Sequence, residues 1–198
     1  MKHIELWHGG RELEYSYSEF GGTKKGRWEY GPGLYLTTHY MRARDYAKGG
    51  GSTYRVQIEE GQELQKILVD ITDVNDFVSK YIIKNKQKRI LESLYDNLQR
   101  GNSSSQIKLE ILVNLIINDE AISNTKTKIL NSYLVEKGAD YSIVKRYGGR
   151  EETVLVLFNR AKIKSVKKIK SDLVLPNEYE INFSFQEIES KKTILNNF

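Results

Sequence analysis

Residues 31–47 read GPGLYLTTHYMRARDYA, and the reading of this stretch decides the fold. Two glycines around Pro32 make a turn, because glycine and proline punctuate regular structure. Leu34 and Leu36 then alternate with Tyr35 and Thr37, so a short strand buries its leucines and turns the tyrosine outward. A helix follows at once, capped by Thr37 or Thr38 and ended by the glycines after Lys48. One aromatic ring between two core leucines, directly after a glycine turn, demands a reason.

Upstream, KHIELWH alternates Ile4, Leu6 and His8 against His3, Glu5 and Trp7, the period of a strand that ends at His8-Gly9-Gly10. Residues 11–33 are polar and glycine-rich and read as a loop with room for a short helix. Downstream, Tyr54, Val56 and Ile58 share one face of a third strand. From about residue 70 to 138 the period changes. Val74, Phe77, Val78, Tyr81 and Ile82 recur at helical spacing, as do Ile90, Leu91, Leu94, Tyr95 and Leu98, and two more helices are expected over 107–117 and 127–136. Strands return after Gly138: YSIV is short, ETVLVLF is apolar throughout and so buried on both faces, and YEINFSF alternates as a strand. Between the last two lies the basic stretch NRAKIKSVKKIKSD, in which Ile163, Val166 and Ile169 give only a weak period. Strands, a helical block and strands again predict one α+β domain over residues 1–198, its sheet assembled from both ends of the chain and its helices inserted at about 70–138.

The chain has 198 residues, a formal net charge of +5 and no cysteine. Disulfides, thiolate metal sites and cysteine nucleophiles are thereby excluded, and a cytoplasmic setting is expected. No apolar run approaches the roughly 18 residues of a membrane span, and the N-terminus lacks a signal-peptide pattern. The positive charge favours nucleic acid or an acidic protein surface as a partner.

His3, His8 and His39 show no zinc-ligand spacing, so no metal is expected. There is no G-x-S-x-G elbow, and the glycines around Pro32 fit neither the dinucleotide fingerprint nor the phosphate-binding loop. Three stretches remain: LWHGG at 6–10, GPGLYLTTHYMRARDYA, and GGREETVLVLF at 148–158. Taken in this order they resemble ADP-ribosyltransferases of the His-Tyr-Glu type, the branch shared by diphtheria-toxin-like and poly-ADP-ribosyltransferase-like enzymes. The likeness rests on His8-Gly9, on Gly31, Gly33, Tyr35, Thr37, Ala43, Tyr46 and Ala47, and on Glu151 or Glu152. The closing stretch KGADYSIVKRYGGREETVLVLFNRAKIKSV also resembles small bacterial and phage members. Aligned on Phe158-Asn159, the family's acid would fall on Val154; Glu152 lies on the same face of that strand and is preferred, with Glu151 as the alternative. The E-x-E pair of arginine-modifying members is missing, and the helical block has no counterpart in the family core.

The resemblance implies a split-sheet fold that uses NAD as co-substrate. His8 would hold a hydroxyl of the adenosine ribose, and the Gly9 backbone the nicotinamide carboxamide. Tyr35 would be the nicotinamide platform, backed by the helix carrying Ala43 and Tyr46. Gly33 and Thr37 complete the cofactor-binding set, and Glu152 would stabilise an oxocarbenium-like transition state. The acceptor would be a macromolecule, protein or nucleic acid, as suits a bacterial toxin or phage effector. The alternatives are an NAD glycohydrolase with the same site, a basic binding or inhibitor protein acting through the lysines of 162–170, and an RNA 2′-phosphotransferase using Arg11, Arg42 and Arg44.

Overall fold

The computed structural model describes residues 2–10, 13, 29–101, 105–146, 152–170 and 174–187. In chain order the elements are β1 (Lys2–Gly10), β2 (Leu34–Thr37), α1 (Tyr40–Tyr46), β3 (Ser52–Glu59), β4 (Leu68–Asp70), α2 (Ile71–Tyr81), α3 (Lys84–Arg100), β5 (Gln106–Lys108), α4 (Leu109–Asn118), α5 (Thr127–Glu136), β6 (Tyr141–Arg146), β7 (Glu152–Leu157), β8 (Ile163–Ile169) and β9 (Gln186–Glu187). The fold is α+β, and the main sheet is antiparallel in the order β6-β7-β2-β1-β3-β8.

The sheet is divided along its middle. β1 pairs with β3 over its length, from His3↔Glu59 to Gly10↔Ser52. With β2 it shares one register pair, Trp7↔Thr37, and its first residues pair instead with β9. The β6-β7-β2 half and the β1-β3-β8 half are thus tied at a single point. Past it, Gly9 and Gly10 run alongside Tyr35 and Leu34 without a ladder between them.

Two cores lie on opposite faces of β7, as its unbroken apolar run requires. Leu155 and Leu157 pack with Leu34, Leu36, Leu6, Val56 and Ile58. Val154 and Val156 face the other way, into the core of α2 to α5 with Val74, Leu94, Leu112 and Leu130. The helical block therefore sits directly on the β2-β7 half of the sheet. A third cluster, Trp7, Tyr40, Ala43 and Val174, fixes α1 against β1.

Several expectations are corrected. Neither Thr37 nor Thr38 caps α1: the cap is His39, whose Nδ1 accepts the Met41 N–H at 3.2 Å. Thr37 instead accepts the His39 N–H in a local turn, and Thr38 accepts the Thr153 N–H, tying the end of β2 to β7. Ile107 belongs to the short antiparallel β4-β5 ladder, whose strands are separated in the chain by α2 and α3, rather than to a helix. The alternating YEINFSF forms no continuous strand; Glu180 makes an isolated bridge with His39, and Ile181, Phe183 and Phe185 lie against the leucine core. Its apolar alternation covers a sheet face rather than extending a sheet. The basic stretch is edge strand β8. A bulge at Lys164, where Ile58 and Gln57 face Ile163 and Ser165, sets Ile163 and Val166 on one face and disguises the strand period. The expected loop after Gly10, apart from Leu13, Glu29 and Tyr30, falls outside the described residues, as do Arg11, Glu151 and the C-terminal tail from residue 188.

Candidate functional site

The site grows from the split between β1 and β2. By register His8 shares a face with Leu6 and Tyr54, while Tyr35, Thr37 and Glu152 share the opposite one with Trp7. His8 nevertheless joins them: its Nδ1 lies 2.9 Å from the Tyr35 carbonyl oxygen. A carbonyl can only accept, so Nδ1 carries the proton and Nε2 keeps a free lone pair in the neutral ring. Burial pushes the His8 pKa below its ordinary value, partly offset by that backbone bond, and favours the neutral ring.

Tyr35 does not face outward as its position between leucines suggests. It is partly buried against the core of the helical block, and its hydroxyl donates to the Gly31 carbonyl at 2.9 Å while accepting the Tyr30 N–H at 3.0 Å. Gly31 holds a left-handed φ of 118°, which lets the turn close over the phenol. Burial raises the Tyr35 pKa well above the usual phenol range, so the hydroxyl stays protonated and donates. The exposed ring is that of Tyr46, 66% accessible at the end of α1.

Glu152 opens β7 and is 5% exposed. Arg146, its register partner on β6, donates from one terminal nitrogen to Oε1 at 3.4 Å. Arg42, one turn into α1, brings Nε to 3.2 Å of Oε2, yet Oε2 has no well-directed hydrogen bond. The carboxylate is thus buried between two guanidiniums, and a ligand hydroxyl reaches Oε2 only by displacing the half-exposed Arg42 side chain. Arg146 extends the network: its Nε donates to the Tyr30 hydroxyl at 3.0 Å and another nitrogen to Glu29 at 3.2 Å. The bond to Tyr30, partly opposed by desolvation, raises its pKa and keeps it charged.

One chain of contacts thus runs from Glu152 through Arg146 and Tyr30 to the Tyr35 hydroxyl, and the Tyr35 carbonyl passes it to His8. The sequence reading singled out three of these five residues and missed Tyr30 and Arg146. The signal for Arg146 was faint: an arginine and a glutamate six residues apart at the facing ends of two strands are a cross-strand charge pair once the strands are antiparallel neighbours. Of the other expected residues, Gly9 and Gly33 serve close packing. A β-carbon on Gly9 would stand 1.6 Å from the Ala43 carbonyl oxygen, and one on Gly33 2.5 Å from that of Leu157. Thr37 spends its hydroxyl on the His39 N–H.

Among the described residues no group of three or more histidine, aspartate or glutamate side chains stands together to hold a metal ion, and no helix is long and apolar enough to cross a membrane. Comparison with known proteins finds no matching family model, no matching curated protein and no matching solved structure.

Proposed function

We propose that the protein is an NAD-dependent ADP-ribosyltransferase with its site at the split of the sheet. The observation that supports this most is the contact chain linking His8, Tyr35 and Glu152, which arrive from three separate strands. Those are the three residues the family resemblance names. A divided sheet with a glycine-rich strand end beside the division also suits a dinucleotide lying across it.

On this reading the neutral His8 accepts a ribose hydroxyl at Nε2, and the open backbone of Gly9-Gly10 takes the carboxamide. The exposed ring of Tyr46, rather than the walled-in Tyr35, stacks on nicotinamide. Glu152 accepts a hydroxyl of the nicotinamide ribose at Oε2 as the ligand displaces Arg42 from it, and stabilises the oxocarbenium-like charge that develops at C1′. The bond from C1′ to the ring nitrogen breaks, nicotinamide leaves with the electron pair, and a nucleophile of the acceptor bonds to C1′ as it loses its proton. Arg42 and Arg146 position the carboxylate.

The test uses carbonyl-labelled and adenylate-labelled NAD with the parent chain and Glu152→Gln, which keeps the shape. Parent activity should release nicotinamide and label a macromolecule, and the variant should lose about 10²-fold or more in kcat with unchanged circular dichroism. Free ADP-ribose without a labelled acceptor would make the protein a glycohydrolase. Equal rates in the two chains, or no nicotinamide release together with no rise in Tm on adding NAD, would overturn the reading.

A further inference from the structure

A second feature lies on the other side of α1. Its C-terminal end, the glycine turn after it, the start of β3 and the end of β8 enclose a groove of about 700 Å³. Arg44, Lys48, Lys168 and Lys170 all contribute to its lining, together with Gly51 and Ser52. No acidic side chain lines it. Lys48 pairs with Asp45 at 2.6 Å, but Arg44, Lys168 and Lys170 have no acidic partner among the described residues, whereas Lys162, just before β8, and Lys164, within it, are paired.

We infer that this groove binds the phosphate backbone of a nucleic-acid strand, and, resting on the transferase reading, that it presents the strand as acceptor to the Glu152 site. Lysines on an edge strand also keep that edge from pairing with other chains. That role does not account for Arg44 and Lys48, which come from the helix and its following turn and line the same groove. Lysine and arginine supported by a backbone turn and a serine hydroxyl are the donors that phosphates take. An acidic protein would need an apolar or aromatic anchor at its centre, and here the apolar lining is limited to Ala47 and Ile169. The groove also adjoins the proposed site. The turn that floors it packs on the glycine end of β1: a β-carbon on Gly51 would stand 2.8 Å from the Gly10 carbonyl oxygen.

The experiment measures fluorescence anisotropy of labelled 20-nucleotide DNA and RNA, single- and double-stranded, against the full chain and an Arg44→Gln/Lys168→Gln/Lys170→Gln variant. The parent should bind at least one probe, with an affinity that falls as salt rises. The variant should bind about tenfold or more weakly, and its slope of log affinity on log salt should be smaller by about two to three. Nicotinamide release and KM for NAD should be the same in both chains. Unchanged oligonucleotide binding in the variant would overturn the inference. So would equal competition by polyglutamate of matched charge, or a raised KM for NAD alone. If oligonucleotide binding follows the inference but neither chain releases nicotinamide, the groove stands as a nucleic-acid site and the transferase reading falls.

Discussion

At the scale of single residues, the arrangement depends on groups whose protonation is set by burial. His8 gives Nδ1–H to a carbonyl and is held below its ordinary pKa by desolvation. In the unfolded chain it titrates near 6.5, so between that value and its lower folded pKa the unfolded state binds more protons. Stability from this residue is therefore complete above about pH 6.5 and is lost as pH falls toward the folded pKa. Replacing it by asparagine removes this source of pH dependence. The expected result is that parent Tm falls from pH 7.5 to pH 5.5 and that His8→Asn shows a clearly shallower fall over the same interval, by circular dichroism in low-salt buffer. Parallel curves would mean that His8 is not the buried neutral donor described. The same locality explains what could be read at this scale. His8, Tyr35 and Glu152 stood out because their own neighbours marked them, whereas Arg146 and Tyr30 matter only through partners across a hairpin and a turn.

At the scale of elements, legibility followed period. Five strands, β1, β2, β3, β6 and β7, and the course of α1 up to its glycine turn, though not its cap, were readable because apolar patterning and turn residues act locally, and the segment 127–136 coincides with α5. The β2-β7 pairing and the split could be expected only from resemblance, since register is a property of two segments and periodicity of one. β8 was missed for a specific reason: the bulge at Lys164 stretches the spacing between inward residues from two to three. This has a consequence that can be measured. Deleting Lys164 leaves Ile163 opposite Ile58 and Ser165 opposite Gln57 in a regular ladder, at the cost of an exposed ion pair with Glu59, and such pairs contribute about 1 kcal/mol or less. The deletion should change stability in urea by no more than about 1 kcal/mol. Deleting Lys167 instead turns Val166, which lies opposite Val56, away from the leucine core and should cost more, about 2 kcal/mol. If both deletions cost the same, the bulge is not where the register places it.

At the scale of the whole molecule, the question is whether the helical block is a separate unit or part of the domain that carries the site. β7 decides it, because alternate residues of one strand belong to two cores: Val154 and Val156 to the block, Leu155 and Leu157 to the sheet. Tyr35 is tied to the block in the same way, by packing against it from β2. A strand cannot leave one core while keeping the other, so block and sheet should unfold together. Far-ultraviolet circular dichroism at 222 nm weights the helices, and Trp7, buried between β1 and α1, reports the sheet once the other tryptophan is removed by Trp28→Phe. The two signals should give one midpoint in guanidinium, and Val156→Ala should lower both midpoints equally, for a loss of about 2 kcal/mol. Helical signal that melts at its own midpoint, with Trp7 undisturbed, would make the block an independent domain. The position of Tyr35 would then have to be held by the sheet alone.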